Sequence, residues 1–358
     1  LPLYGATADQ AHPSHHSTRG WKADLENVSI ERLREFYDTF YWPNNATAIA
    51  IGDFSEKDAL AMIKKHFGKI RKSTKPIPKV YTTEPEQEGI RTVTLKRAGQ
   101  QGIVGVAHKS PPATDPDAPA FVVLSSILSS GKNSRFYKNI TDKGLTTSVY
   151  IWDSLFRDPG LFTVYANLSP DVDHKTVEKA IVDEYEKIKK DGVTEEEVKK
   201  AQAQLVASMK FSQDGSYAIA SGLNEAIASG DWTLYTTYGE RIKTVTKEDI
   251  KRVVNKYFLE DLSTVGYFIP LGSGEQGEKS ATSAKQLEKM KIKNLTTEEE
   301  VLSSKIIDTE PVKGIRLLTL KRGTGVVTMR GSMLGGDIYS TKNKRTADMV
   351  AAMLDQGT

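Results

Sequence analysis

Apolar residues recur at helical spacing in two separate stretches of the chain, and the two stretches match each other in register. Ser29 precedes the first and Thr246 precedes the second, with Asp249 three residues after the threonine. Apolar positions spaced i, i+3, i+4 and i+7 lie on one face of a helix, and Ser and Thr are favoured N-caps. Each predicted helix is followed by a strand-like run, at residues 47–51 and 263–268. The matching apolar residues are Leu33, Phe36, Tyr37 and Phe40 in the first helix and Ile250, Val253, Val254 and Tyr257 in the second.

A second internal similarity relates residues 89–97 to residues 314–322. Both read Gly-Ile-Arg, then two variable positions, then Thr-Leu-Lys-Arg. A second strand and a helix follow in both places, and the helices end alike at residues 127–131 and 353–357. Similarity that recurs along a chain is the signature of repeated structural units. The two similarities together predict serial copies of one α+β unit.

Residues 85–270 are interpreted as one complete copy of this unit. Strands are predicted at 91–96, 103–108, 148–154 and 161–168, and a helix at 116–129. Two more helices follow: one ends at Gly192, and the next begins with the capping box Thr194 and Glu197. Strands that cluster apart from consecutive helices favour an α+β fold in which helices pack on one face of a largely antiparallel sheet.

The other parts of the chain are assigned relative to this copy. Residues 1–84 are predicted to be the C-terminal part of a first, catalytic-type unit. Residues 271–311 are predicted to be a linker, because they open with a Gly- and Ser-rich stretch poor in apolar residues. Residues 312–358 are predicted to start a third, degenerate unit. The sequence pattern is that of a chain cut at both ends.

Several motifs resemble those of the pitrilysin/insulinase family of zinc metallopeptidases. Near the start are His12-Pro13, a Tyr-Trp-Pro-Asn-Asn-Ala turn at residues 41–46, and a run that ends at Gly52-Asp53. In the next unit, Ser-Arg-Phe-Tyr occupies residues 134–137, Lys-Gly-Leu occupies 143–145, and Gly-Val-Thr-Glu-Glu-Glu occupies 192–197. The chain ends in Met-Leu-Asp-Gln-Gly-Thr, similar to the sequence that follows the family's zinc helix. The resemblance implies the LuxS/mitochondrial processing peptidase-like metallopeptidase fold.

Departures from the family pattern imply that this stretch carries no catalytic, cofactor-binding or metal-binding residue. The family's zinc motif is H-x-x-E-H, and its positions are occupied here by Asp348, Ala351 and Ala352. Alanine offers no lone pair to zinc and cannot accept a proton. The family's substrate-holding Arg and Tyr align with Ile140 and Thr147. By this resemblance, the motif of the first copy would lie upstream of Leu1.

The resemblance therefore implies a four-unit peptidase in which zinc belongs to the intact parent protein and none is bound by this fragment. The implied partners are a peptide or unfolded polypeptide substrate and the rest of the same chain, which would complete the first, third and fourth units. By analogy with related proteins, a periplasmic or secreted location is expected. One alternative is a non-catalytic family member that acts as a partner subunit. Another is an unrelated α+β binding protein that shares the repeat.

Composition and short motifs argue against nucleic-acid, metal and nucleotide binding by this chain. The formal net charge is +3, with 49 basic and 46 acidic residues, so no nucleic-acid partner is expected. The chain has no cysteine, and no apolar run reaches the length of a membrane span. His12, His15 and His16 form an H-x-x-H-H pattern, but Pro13 disfavours a helix that would present them to a metal. The dinucleotide-like glycines 272, 274 and 277 lack the following apolar helix, so no nucleotide is expected.

Overall fold

Five strands pair into one sheet in the computed structural model, which describes residues 2–16, 20–271, 306–312 and 315–320. The order across the sheet is β1-β5-β2-β4-β3, and neighbours are antiparallel except for the parallel pair β1 and β5. The predicted α+β class is confirmed. The strands are β1 (Arg91–Ala98), β2 (Ile103–Ser110), β3 (Thr146–Asp153), β4 (Gly160–Leu168) and β5 (Thr264–Leu271).

Ten helices accompany this sheet in the described residues of the unit 1–293. Four precede the sheet in the chain: α1 (Pro2–Ala8), α2 (Lys22–Asn27), α3 (Ile30–Phe40) and α4 (Glu56–Phe67). Six lie between its strands: α5 (Ala118–Ser129), α6 (His174–Asp191), α7 (Glu195–Phe211), α8 (Ser216–Ala228), α9 (Leu234–Lys243) and α10 (Lys247–Tyr257).

The core lies between one face of the sheet and helices α5, α6, α7 and α10. Val104 and Val106 of β2 pair with Ala166 and Val164 of β4, and all four side chains are fully buried. Helices α5, α6 and α10 bury their apolar stripes against this face. Each fully buried large aliphatic or aromatic side chain contributes about 2 kcal/mol of hydrophobic stabilisation. The residues that alternate with this set in the strands point to the opposite face of the sheet.

Capping residues fix the helix boundaries where the sequence predicts them. The hydroxyl of Thr194 accepts from the backbone N–H of Glu197, whose carboxylate accepts from Thr194 N at 2.8 Å. Thr246 and Asp249 make the same reciprocal pair at the start of α10. Gly192 ends α6 with φ at 77°, a backbone conformation that favours glycine. Local sequence thus determines where these helices begin and end.

The two matching helices of the sequence have different environments. In α10, Ile250, Val253 and Val254 are fully buried. In α3, three of the four equivalent apolar residues, Leu33, Phe36 and Tyr37, are more than half exposed. The strand predicted at residues 47–51 is wrong: this segment forms no strand, because none of the described strands pairs with it.

The second unit, residues 294–358, contains β6 (Ile306–Val312) and β7 (Ile315–Leu320) within its described part. These two strands pair antiparallel, with a register shift between Thr309 and Val312. The strand predicted within residues 314–322 is confirmed as β7. Its partner β6 begins inside the stretch predicted to be linker, so the segment before residue 312 is not wholly irregular. The remaining domain boundaries stay predictions.

Candidate functional site

The family-like motif at residues 134–137 meets the one at residues 192–197 in the fold. Arg135 donates to both carboxylate oxygens of Glu197, with Nε and Nη2 at 2.7 and 2.9 Å, and Nη2 is also 3.3 Å from the carbonyl oxygen of Gly192. Burial opposes ionisation of Glu197, but hydrogen bonds from Arg135 and Thr194 prevail and lower its pKa to about 2. The carboxylate is fully engaged in fastening α7 to the segment after α5. These motif residues are therefore structural.

The positions of the family's substrate-holding pair offer no equivalent chemistry. Ile140 is fully buried in the core. Thr147 is exposed, and its hydroxyl lies 2.6 Å from Nε2 of Gln101, which donates to it. A buried aliphatic side chain and a surface threonine provide neither a cation nor a phenol to hold a peptide.

The N-terminal histidines contact one another and nearby polar groups. His12 Nδ1 is 2.8 Å from the hydroxyl of Ser14, and its Nε2 is 3.9 Å from Asp158. His15 Nδ1 is 2.8 Å from the carbonyl of His12, and the rings of His15 and His16 are 3.8 Å apart. Within the described part of the chain, no three or more His, Asp or Glu side chains converge as metal ligands would.

The other histidines of the described residues have structural environments. His108 is 2% exposed and lies against the rings of Tyr185 and Phe258. Burial, with a contribution from the charge of Lys189, lowers its pKa to about 3. His174 Nε2 is 2.8 Å from the carbonyl of Phe268, and His66 lies in the exposed last turn of α4. The imidazole of His108 is therefore a neutral core group.

A buried carboxyl group that the sequence analysis missed lies at the end of β3. Both oxygens of Asp153 are buried without a hydrogen-bond partner among the described residues, and so is the hydroxyl of Tyr238. Burial raises the pKa of Asp153 to about 7. Burial and the charge of Asp153 raise the pKa of Tyr238. The signal in the sequence is period two, because Asp153 follows Val149 and Ile151 on the inward face of the strand.

A cavity of about 490 Å³ lies where α5, α9 and α10 meet, and its lining includes Arg241 and Arg252. Arg252 is paired with Asp117 at 2.7 Å and with Asp249 at 3.2 Å. Arg241 donates to the carbonyl of Asp115 at 2.7 Å. Both arginines of this cavity thus have partners, and Arg252 ties α10 to Asp117, which immediately precedes α5.

The zinc-helix positions Asp348, Ala351 and Ala352, the C-terminal motif and glycines 272–277 lie outside the described residues. No helix within the described ranges is both long and apolar enough to cross a membrane. The described part of the chain thus presents structural ion pairs, a buried carboxyl group and histidines that do not converge with other ligands on a metal site.

The chain matches the protein-family model described as "Peptidase M16 inactive domain". The match covers residues 27–205, which is 179 of the 358 residues. The matched stretch begins before α3 and ends within α7, so it includes β1 to β4.

Similar curated proteins include "Zinc protease PqqE" of Helicobacter pylori, 28% identical over 74% of this chain and 60% of that protein. A "Probable mitochondrial-processing peptidase subunit beta" of Arabidopsis thaliana is 25% identical over 71% of this chain and 50% of that protein. The chain thus spans half to about 60% of the length of these two relatives.

Solved structures show the same fold. The structure of a protease from Helicobacter pylori superimposes with a TM-score of 0.71 at 27% identity, covering 75% of this chain and 66% of that chain. The peptidase M16 inactive domain from Pseudomonas fluorescens gives a TM-score of 0.66 at 20% identity, covering 75% of this chain and 64% of that chain. At that identity the second likeness concerns the fold alone.

Proposed function

Because the chain belongs to the peptidase M16 family, we propose that it is the scaffold segment of a zinc-dependent endopeptidase. In this proposal it supplies part of the wall of a peptide-binding chamber and does not hold the metal. The observation that carries the proposal is the match of the inactive-domain family to residues 27–205, which include most of the sheet and its core. Similarity to proteins named zinc proteases supports the reaction class.

The residues described here do not fit a zinc ion. A zinc site needs three or four His, Cys, Asp or Glu ligands around one point, and the described residues form no such group. At the positions that align with the family's metal motif, Ala351 and Ala352 have no donor atom. The proposal therefore assigns the metal, and the activation of water, to residues of the parent protein outside this sequence. No hydrolytic step passes through the side chains described here.

The role of wall is supported by the face of the sheet that points away from the core helices. On this face Tyr150 of β3 stacks on Tyr165 of β4 with ring centroids 5.4 Å apart, and Tyr150 and Trp152 are 48% and 61% exposed. Exposed aromatic rings on a rigid sheet suit contact with a peptide or unfolded polypeptide. The proposed substrate class is therefore polypeptide.

The proposed partner for the exposed stripe of α3 is another part of the same protein. The equivalent stripe of α10 is buried by β2, α5 and α6. An equivalent strand and helix layer around α3 would complete the first unit in the same way. We also propose an exported, periplasmic or secreted location, which the absence of cysteine permits but does not require.

The experiment is to determine the coding sequence on both sides of this chain and then assay the complete protein on unfolded polypeptide substrates. We expect an H-x-x-E-H motif with a downstream glutamate, and cleavage that stops when a chelator is added. Substitution of the motif glutamate by glutamine should abolish the cleavage. A complete protein that lacks the motif would overturn the enzymatic proposal and leave a non-catalytic partner subunit as its function.

A matched measurement addresses this segment by itself. Metal analysis of the purified 358-residue chain should find no stoichiometric zinc after dialysis, and the chain should not cleave peptides. One equivalent of tightly held zinc, or cleavage sensitive to a chelator, would contradict the role of scaffold.

A further inference from the structure

The carboxylate of Glu84 collects three consecutive backbone N–H groups from the N-terminal part of the chain. Gln10 and Ala11 each donate to it at 2.8 Å, and His12 donates at 3.0 Å. Successive backbone amides that converge on one anion form a concave, positively polarised site. Here the anion is a side chain that lies more than 70 residues further along the sequence. The contact therefore joins two distant points of the chain.

Two basic residues of the sheet hold the same N-terminal segment from the other side. Arg91, at the start of β1, donates to the carbonyl of Ala8 at 2.6 Å and lies 3.2 Å from Glu84. Lys109 of β2 donates to the same carbonyl at 2.8 Å and pairs with Asp9. Lys109 follows the core residue His108 in the strand, so it points to the face opposite the core helices.

Several of the groups that make these contacts are shielded from solvent, whereas Gln10 and Ala11 are exposed. Ala8 is fully buried, Asp9 is 7% exposed, and the side chains of Glu84 and Arg91 are each 14% exposed. Burial by itself disfavours the charge of Glu84, but the three amides and Arg91 outweigh it and lower the pKa to about 2. Glu84 is therefore ionised at neutral pH, and hydrogen bonds to an ionised acceptor are stronger than neutral ones.

The stretch between His12 and Glu84, residues 13–83, is mostly exposed to solvent in its described part. It contains α2, α3 and α4, and none of its described residues from Gly20 to Thr83 is buried. Its two ends meet at the contact between Glu84 and residues 10–12, much as a disulfide closes a loop. A contact that closes so long a loop removes conformational freedom from the whole stretch.

We propose that Ala8, Asp9, Glu84, Arg91 and Lys109 form a clasp that fastens both ends of residues 13–83 to one point on the sheet. Opening the clasp frees this stretch as a body, whereas β2 and β4 stay folded. The clasp thus determines where both ends of the stretch that carries α2 to α4 are attached to the sheet. This inference does not depend on the proposed peptidase activity.

The test is hydrogen exchange, measured by mass spectrometry on the full chain, of wild type and Glu84→Gln. The neutral amide removes the charge from all four hydrogen bonds. We expect the amides of residues 10–12 to exchange at least about tenfold faster, since hydrogen bonds to charged groups are the stronger class and opening of the clasp exposes all three amides. Amides of β2 and β4 should keep wild-type rates. Glu86→Gln is the matched control, because Glu86 is exposed and only two residues away.

A second variant, Lys109→Met, removes the bonds to Ala8 and Asp9 while leaving Glu84 charged. It should accelerate the same amides to a smaller extent. Unchanged exchange at residues 10–12 in Glu84→Gln would overturn the clasp. Equal acceleration in β2 and β4, or failure of Glu84→Gln to fold, would also overturn it, because the group would then be part of the global core.

Discussion

Arg135 and Glu197 lie 62 residues apart in the sequence and form a two-bond ion pair, in which Nε and Nη2 of the arginine lie 2.7 and 2.9 Å from the two carboxylate oxygens. The same carboxylate accepts from the backbone N–H of Thr194 and so begins α7. One side chain therefore both caps a helix and anchors it to the segment after α5. The planar fork of arginine suits this geometry, which lysine cannot reproduce.

Substitution Arg135→Met should destabilise the fold by about 2 kcal/mol, because it leaves a partly buried carboxylate without its charged partner. The free energy of unfolding in urea measures this loss. Lys199→Met is the control, since Lys199 pairs with Glu195 on the solvent-exposed face of α7 and should change stability by less than about 0.5 kcal/mol. Equal effects of the two variants would show that the Arg135 pair contributes no more than a surface pair.

His108 should make stability fall on acidification. Its folded-state pKa of about 3 is below the unfolded value of 6.5, so between these values the unfolded state binds the extra proton. The stabilisation is complete above pH 6.5 and is lost as pH falls towards 3. Between pH 6.5 and 5 the loss from this group is about 2 kcal/mol. The unfolding free energy of His108→Leu, measured against pH, should lack this loss. The control His66→Leu, at an exposed histidine, should follow the wild-type profile. A His108→Leu profile parallel to that of wild type would contradict the prediction.

The effect of Asp153 on the pH dependence of stability should be opposite to that of His108. Its folded-state pKa of about 7 is above its ordinary value of 3.8, so stability is complete below pH 3.8 and is lost as pH rises through 7. At pH 8 the substitution Asp153→Asn should therefore stabilise the protein by about 2 kcal/mol, because no charge is buried. Melting curves at pH 8 measure this gain. Asp158→Asn, at the exposed turn and 3.9 Å from His12, should not raise the melting temperature, and a gain equal to that of Asp153→Asn would argue against burial as the cause.

In wild type, the contributions of His108 and Asp153 to the pH dependence of stability nearly cancel between about pH 4 and 6.5. On unfolding in this range, His108 binds one proton and Asp153 releases one. A flat wild-type profile in that window is therefore expected. The slopes should appear with opposite sign in His108→Leu and Asp153→Asn.

Gly160 begins β4 where the chain reverses direction after β3. A Cβ atom there would lie 2.0 Å from the carbonyl oxygen of Ser154, which is backbone and cannot rotate away. Gly160→Ala should therefore cost about 2 kcal/mol or more by overpacking. Gly239→Ala is the matched control, because it lies in α9 with no atom within 4 Å and should gain up to about 1 kcal/mol from helix propensity. Thermal unfolding of the two variants should move in opposite directions.

Much of the second copy could be predicted because its signals are local. The capping boxes at Thr194 and Thr246 and the apolar stripe of α10 each depend on residues within one or two helical turns. The departures at Ile140 and Thr147 are located by the resemblance to the family, which places its substrate-holding Arg and Tyr at these positions. Local signals could not predict the contact between Arg135 and Glu197, because it depends on how α7 packs against the segment after α5.

Other features depend on distant partners and could not be predicted. The parallel pairing of β1 with β5 joins strands more than 160 residues apart, and no local pattern specifies it. The segment at residues 47–51 has the composition of a strand but no pairing strand among the described residues. The raised pKa of Asp153 depends on the burial of its carboxyl group at the end of β3, within range of Tyr238 of α9, and no local pattern specifies that burial.

The position of β5 between β1 and β2 has a consequence for biosynthesis. This strand, second in the order across the sheet, is the last of the five to leave the ribosome, and its eight residues separate the first two strands made. Until Thr264–Leu271 emerges, β1 has no neighbour in the sheet and one edge of β2 is bare. Nascent chains that pause before β5 is made therefore expose unpaired strand edges. Such edges can bind chaperones or lead to aggregation.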